Sequence, residues 1–232
     1  MDKYRYKRNI QIEGFGEEGQ QKLKDAKVLV VGAGGLGSPV LSYLAAVGIG
    51  TIGIIDYDKV DLSNLQRQVL HQTVDIGRLK VESVKEKLLA LNPEIIVNIF
   101  AERFTEDNAK TIIGQYDFIV DCCDNYETKF LINDICVEVQ KPFSHGAILA
   151  LRGEVMTYIP GCCNYRDVFD GPPENKSELS PEQAGTLGAV AGIIGSIQAT
   201  EVIKYFIGIG ELIINRILIF DGKAMSFHSL KV

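Results

Sequence analysis

The sequence has little of what disulfide-bonded, nucleic-acid-binding or membrane-spanning proteins are built from. Its five cysteines occur as Cys122-Cys123, Cys136 and Cys162-Cys163. Two adjacent pairs and an odd remainder make a poor disulfide framework, so a reducing cytoplasm is the expected compartment. There is no excess of basic residues. The formal net charge of -6 argues against general nucleic-acid binding, though not against a local basic pocket. Tryptophan is absent. The most apolar stretch, Leu187 to Gly210, is interrupted by Gln198, Glu201 and Lys204, so it reads as a packed helix and not a membrane span. Met1 to Arg8 lacks the apolar core of a signal peptide. His71, His145 and His228 show no metal-ligand spacing.

What is present is an alternation of short apolar runs and helical patterns. At 232 residues and 46% hydrophobic, the chain fits one α/β domain spanning 1–232. Strands are expected at 27–31, 51–56, 95–100, 117–121 and 142–147, with helices at 17–25, 38–47, 78–91, 105–114 and 126–140. Asn92-Pro93 ends the third of those helices. Alternation at this length predicts a Rossmann-like, mostly parallel sheet with helices on both faces. From Gly153 the pattern turns hairpin-like, with strands at 154–159, 216–220 and 224–230 around a long helix at 184–207. The C-terminal part of the sheet is therefore expected to be antiparallel. Gly188, Gly192 and Gly195 mark close packing along that helix, inside the chain ahead of a dimer interface. Residues 161–185 are polar and hold Pro172, Pro173 and Pro181, and read as a mobile crossover loop or a surface insertion.

Gly32-x-Gly34-x-x-Gly37 follows a strand and opens a helix. Glycines let the backbone turn tightly against a phosphate, where helix N-terminal amides favour negative charge. Asp56, at the end of the second strand, is placed for ribose hydroxyls, and this much taken alone favours NAD. The run from Asp61 to Gln68 points to a triphosphate instead. Arg67 can pair with phosphate oxygens and Asn64 adds a neutral donor. Lys80 is a second cation if its helix end faces the same cleft, and Asp58 and Ser63 complete the candidate lining. The alternative for Arg67 and Lys80 is an ordinary solvated surface charge. Asp124 and Asn125 follow a strand end. There a carboxylate beside phosphates suits Mg²⁺, and either residue suits a helix cap. Cys122 and Cys123 read as small packing residues.

Arg5 to Gln11, Gly19 to Leu23, Val31 to Gly37, Ser63 to Gln68, Gly77 to Ser83, Asp121 to Asn125 and Ile194 to Glu201 together resemble the ThiF/MoeB/HesA family, bacterial relatives of ubiquitin-activating enzymes. The resemblance implies ATP-dependent adenylation of the C-terminal carboxylate of a small ubiquitin-like carrier, usually ending Gly-Gly, for thiamine or molybdopterin synthesis. A separate protein would supply the sulfur. It also implies that Gly35 lies in the nucleotide loop, Asp56 binds ribose, Asn64, Arg67 and Lys80 hold the phosphates, and Asp124 binds Mg²⁺. Arg8 resembles the arginine that reaches into the neighbouring subunit's site, which implies a homodimer. The bare residues suggest a flexible basic tail instead.

Two departures accompany the resemblance. The family's first Cys-x-x-Cys pair falls on Asn164 to Asp167 and the sequence holds no second pair, so no structural zinc is expected. The family's downstream cysteine falls at about Pro181, which cannot act as a nucleophile. Cys162 or Cys163 substitutes for it only if the loop folds inward. Adenylation of another peptide or protein carboxylate, and nucleotide or NAD binding without adenylation, remain as competing readings.

Overall fold

β1 (Lys27–Val31) sends alternate side chains to opposite faces, as a strand must. Val28 and Val30 enter one apolar layer, while Leu29 and Val31 enter the other. A strand apolar on both faces belongs inside a parallel sheet. The computed structural model describes residues 3–171 and 184–232. In it β1 lies between β2 (Thr51–Ile55) and β4 (Phe118–Asp121), parallel to both. β3 (Ile96–Phe100) and β5 (Phe143–Leu149) extend the parallel part on either side. β6 (Arg152–Tyr158), β7 (Arg216–Asp221) and β8 (Ser226–Lys231) then add antiparallel. The result is one eight-stranded mixed sheet in the order β3-β2-β1-β4-β5-β6-β7-β8.

One face is covered by α2 (Gly16–Asp25), α3 (Gly37–Val47), α4 (Lys80–Leu91) and α8 (Gly188–Ile207). The other is covered by α5 (Glu106–Ile113), α6 (Tyr126–Glu138) and α7 (Tyr165–Val168). Gly48, at φ 87°, ends α3 in the left-handed conformation that side-chain-bearing residues avoid. α8 is long and apolar enough to cross a membrane, yet half of its most apolar window is buried in the protein. It is a core helix. A Cβ on Gly195 would lie 2.5 Å from Pro39 Cγ, so this glycine is what lets α8 press against α3. A Cβ on Gly188 would lie 2.5 Å from Gln66 O, whereas one on Gly192 would meet open space. Internal packing thus accounts for two of the three glycines.

The long helix starts at Gly188 and not at 184, because the residues before it are tied to the β5–β6 turn. Ala150 N donates to Gly185 O (2.9 Å), and Leu187 N donates to Ala150 O (3.1 Å). β8 starts at Ser226 because Asp221 Oδ1 accepts from Lys223 N and Ala224 N and closes the hairpin first. Two short helices, α7 and α1 (Lys7–Ile10), carry no apolar period long enough to be read from sequence. Pro172, Pro173 and Pro181 of the expected crossover loop lie outside the described residues.

Candidate nucleotide site

Parallel strands leave their carboxyl ends on one edge of the sheet, and the candidate residues gather there. Gly32 N donates to Ile55 O (2.9 Å), which ties the start of the glycine turn to the end of β2. A Cβ on Gly32, at φ 101°, would lie 2.7 Å from Cys122 O, and one on Gly37 would lie 2.2 Å from Gly32 O. Any side chain at either position would push the turn off β4 or push α3 off the turn. Asp56 Oδ2 accepts from Ala33 N (2.8 Å) and Asp56 Oδ1 from Asp58 N (2.8 Å). Burial raises the Asp56 carboxyl above its ordinary range, against the pull of Lys80 and of those two N–H donors. Lys80 is buried and donates to Asp58 Oδ2 (2.9 Å), so Asp56, Asp58 and Lys80 form one group beside the turn.

The Asp61–Gln68 run folds over the same turn. Asp61 caps a 3-10 turn, Leu62–Asn64, accepting from both Ser63 N (2.8 Å) and Ser63 Oγ (2.6 Å). Asn64 Oδ1 accepts from Asp61 N (3.1 Å), so that oxygen is committed to the turn while the amide nitrogen keeps its donors. Arg67 is half-buried and donates from Nη1 to Ser63 O (3.1 Å). A Cβ on Gly35 would lie 3.5 Å from Arg67 Cγ, so the Arg67 stem crosses the glycine turn. Asp124 and Asn125 are exposed just past β4. Asn125 Oδ1 accepts from Thr128 N (2.9 Å) and caps α6. An edge carrying two cations, a buried acid and turn glycines fits a nucleoside polyphosphate.

The model of the ThiF family matches residues 6–232. The chain belongs to the ThiF family. It is 42% identical over 233 residues to the probable adenylyltransferase/sulfurtransferase MoeZ of Mycobacterium tuberculosis, covering 98% of this chain and 59% of that one. It is 46% identical over 230 residues to the adenylyltransferase and sulfurtransferase MOCS3 of Culex quinquefasciatus, covering 98% and 52%. The chain thus spans about half the length of the curated relatives it matches. Among solved structures, E. coli MccB with ATP matches at TM-score 0.83 and 28% identity, over 98% of this chain and 70% of that one. The microcin C7 biosynthetic enzyme MccB in complex with N-formylated MccA matches at TM-score 0.89 and 26% identity, over 99% and 72%.

Not every residue singled out for this ThiF-family chain reaches the site. Arg8 is exposed on α1, at the end of the sheet where the parallel strands begin. Its neighbour Tyr6 is buried against Gly48 and accepts from Asn92 Nδ2 (2.8 Å), while Arg5 donates to Leu91 O (2.9 Å). Those contacts hold Arg8 away from the glycine turn of its own chain. Cys162 and Cys163 follow β6, whose last residue Tyr158 pairs with Phe143 at the start of β5. They too sit at the far end, so the inward folding entertained for them does not bring either to the turn. Asn164 donates from its backbone N and its Nδ2 to Asp167 Oδ2 (both 2.7 Å), and its Oδ1 accepts from Arg166 N (2.9 Å), as the cap of α7.

The ThiF-family motif around Asp124 also rests on a buried group that sequence reasoning missed. Asp121, at the end of β4, accepts from Lys129 Nζ (3.0 Å) and contacts His145 Nδ1 (2.8 Å). Burial would raise the Asp121 carboxyl, but Lys129 and His145 hold it well below the usual carboxylate range. Lys129 also donates to Gly146 O (2.7 Å), and Gln198 Nε2 donates to Asp121 O (2.8 Å). Burial pushes the Cys122 and Cys123 thiols well up, as suits packing residues. The available signal was Lys129 itself, a charge among Phe130, Ile132 and Cys136 on the apolar side of a helix.

Proposed function

We propose that this chain is one adenylation domain that binds ATP and activates the C-terminal carboxylate of a small ubiquitin-like sulfur carrier as an acyl-adenylate. The carrier ends in Gly-Gly, and a separate donor protein supplies sulfur for thiamine or molybdopterin synthesis. The observation that carries the reading is Arg67 lying across Gly35, 3.5 Å from a Cβ built there, beside Asp56, Asp58 and Lys80. A nicotinamide dehydrogenase has no use for that guanidinium. The names of MoeZ and MOCS3, at 42% and 46% identity, support the same class of reaction.

In this mechanism the carrier carboxylate attacks the α-phosphorus of ATP. The bond to the bridging oxygen breaks and pyrophosphate leaves. No general base is required, since a C-terminal carboxyl is ionised at neutral pH. Two anions must be brought together, and charge grows on the leaving group. Arg67 and Lys80 offset that charge, Asn64 donates to the phosphates, and the glycine turn fixes alignment. Asp56 and Asp58 face the ribose side. Arg8, remote from its own turn, serves the site of a second copy, which makes the working unit a homodimer. Asp124 is an exposed carboxylate on the segment that abuts Gly32, a hard-oxygen donor suited to Mg²⁺ beside phosphates. When bound, Mg²⁺ supplies further neutralisation of phosphate charge. A structural zinc has no part in this reading, because Asn164 and Asp167 stand where the family's first Cys-x-x-Cys pair falls. The setting is cytoplasmic, with neither nucleic acid nor membrane as a partner.

The test is to incubate the protein with ATP, Mg²⁺ and a Gly-Gly-ended carrier, following pyrophosphate exchange and weighing the carrier for added AMP. Tight NAD binding with no response to ATP in calorimetry would falsify the reading. A second reading, adenylation of a different peptide, draws on the likeness to MccB bound to N-formylated MccA. Exchange stimulated by peptides lacking Gly-Gly, and not by carriers, would select it.

A further inference from the structure

The glycine turn is held by a group that the adenylation chemistry does not use. His71 is buried, 5% exposed, between the 3-10 turns Leu62–Asn64 and Thr73–Asp75. Its Nε2 lies 3.1 Å from Ala33 O, and its Nδ1 lies 2.9 Å from Ser83 Oγ on α4. A carbonyl only accepts, so Nε2 must carry the proton. Burial lowers the His71 pKa, with Lys80 and Lys87 adding to that and Asp75 and the Ala33 contact opposing it. The ring is therefore neutral, and Nδ1 accepts from the Ser83 hydroxyl. Ser83 Oγ in turn accepts from Lys87 Nζ (2.8 Å), which is paired with the buried Asp75.

This chain of contacts acts on one peptide plane. In a trans peptide the C=O and the following N–H point in opposite directions, and no cis bond occurs among the described residues. Drawing Ala33 O toward His71 turns the Gly34 N–H the other way. Gly34 O is likewise drawn back by Ser38 N and Ser38 Oγ, both at 2.9 Å, which turns the Gly35 N–H outward as well. Among the described residues neither of these two N–H groups has a hydrogen-bond acceptor.

We propose that His71 is a positioning residue for the nucleotide turn: by holding Ala33 O it presents the Gly34 N–H to a phosphate of the bound nucleotide. The inference rests on the ATP-binding reading above, and its test separates the two. Wild-type protein, His71→Ala, His71→Gln and Ser83→Ala are compared by thermal melting and by ATP–pyrophosphate exchange with carrier. Nitrogen-15 NMR of the wild-type imidazole reads the tautomer.

The expected result is a KM for ATP raised roughly five- to tenfold in His71→Ala, the scale of one neutral hydrogen bond, with kcat held within about twofold. His71→Gln restores the donor and most of the KM. Ser83→Ala, which leaves Nδ1 without its donor, gives a smaller rise of the same kind and stands in if His71→Ala fails to fold. The NMR spectrum shows an Nε2–H imidazole. A folded His71→Ala or Ser83→Ala with unchanged KM, or an Nδ1–H ring, overturns the positioning role while leaving ATP binding standing. Wild-type protein that ignores ATP overturns both.

Discussion

The five parallel strands and the three antiparallel ones make a single sheet, yet they differ in what their ends carry. β1, β2 and β4 are buried almost throughout, and their carboxyl ends bear Gly32, Asp56 and Asp121. β8 is exposed from Phe227 onward and contributes no candidate site residue. Parallel strands must all return to the same edge, so their polar termini accumulate there. Antiparallel strands alternate direction and disperse theirs. The antiparallel part instead supplies core: Phe220 is 2% exposed and packs on Phe227 at 4.9 Å.

If the two parts divide stability from chemistry in this way, substitutions should separate them. Phe220→Ala is expected to cost about 3–5 kcal/mol in denaturant unfolding, with the KM for ATP of the remaining folded enzyme unchanged. Coupled loss of ATP affinity would break the division. Arg67→Ala should do the reverse, slowing ATP–pyrophosphate exchange roughly 100- to 1,000-fold while the melting temperature stays within a few degrees. Unaltered exchange removes Arg67 from the site.

Asp75 sharpens the contrast from the parallel side. Burial alone would raise its carboxyl, but Lys87 and the Gln72 N–H hold it at about 2, against an ordinary 3.8. A folded-state pKa below the unfolded one stabilises at pH above the unfolded value and is lost as pH falls through the folded one. Wild-type stability should therefore drop by about 2 kcal/mol more than that of Asp75→Asn between about pH 4 and pH 2, read by urea titration. Parallel curves for the two proteins would contradict the assignment. The smallest effect is expected at the exposed edge, where Leu230→Ser should change stability by no more than about 0.5 kcal/mol.

Much of this was legible in the chain. The strand at 27–31, the turn Gly32 to Gly37 and the helix after it are local statements, since apolar runs, glycine spacing and helix length act over a few residues. Asn125 as a cap was legible for the same reason. The start of α8 was not, because the β5–β6 turn captures Gly185 and Leu187 across more than thirty positions in the sequence. Nor was the function of His71, a lone histidine three positions beyond Gln68 whose partners Ala33 and Ser83 belong to other elements.

Local chemistry along the chain therefore determined the repertoire: an alternating α/β fold, a phosphate-type turn, and a set of acids, amides and cations able to serve it. Only the tertiary structure decided which of them meet. It laid Arg67 over Gly35, paired Lys80 with Asp58, buried Asp121 between Lys129 and His145, and kept Arg8 at the opposite end. The reason is physical. Propensity and spacing act within a few residues, whereas the direction of a strand, and hence the edge at which its last residue emerges, is set by pairing across the whole sheet.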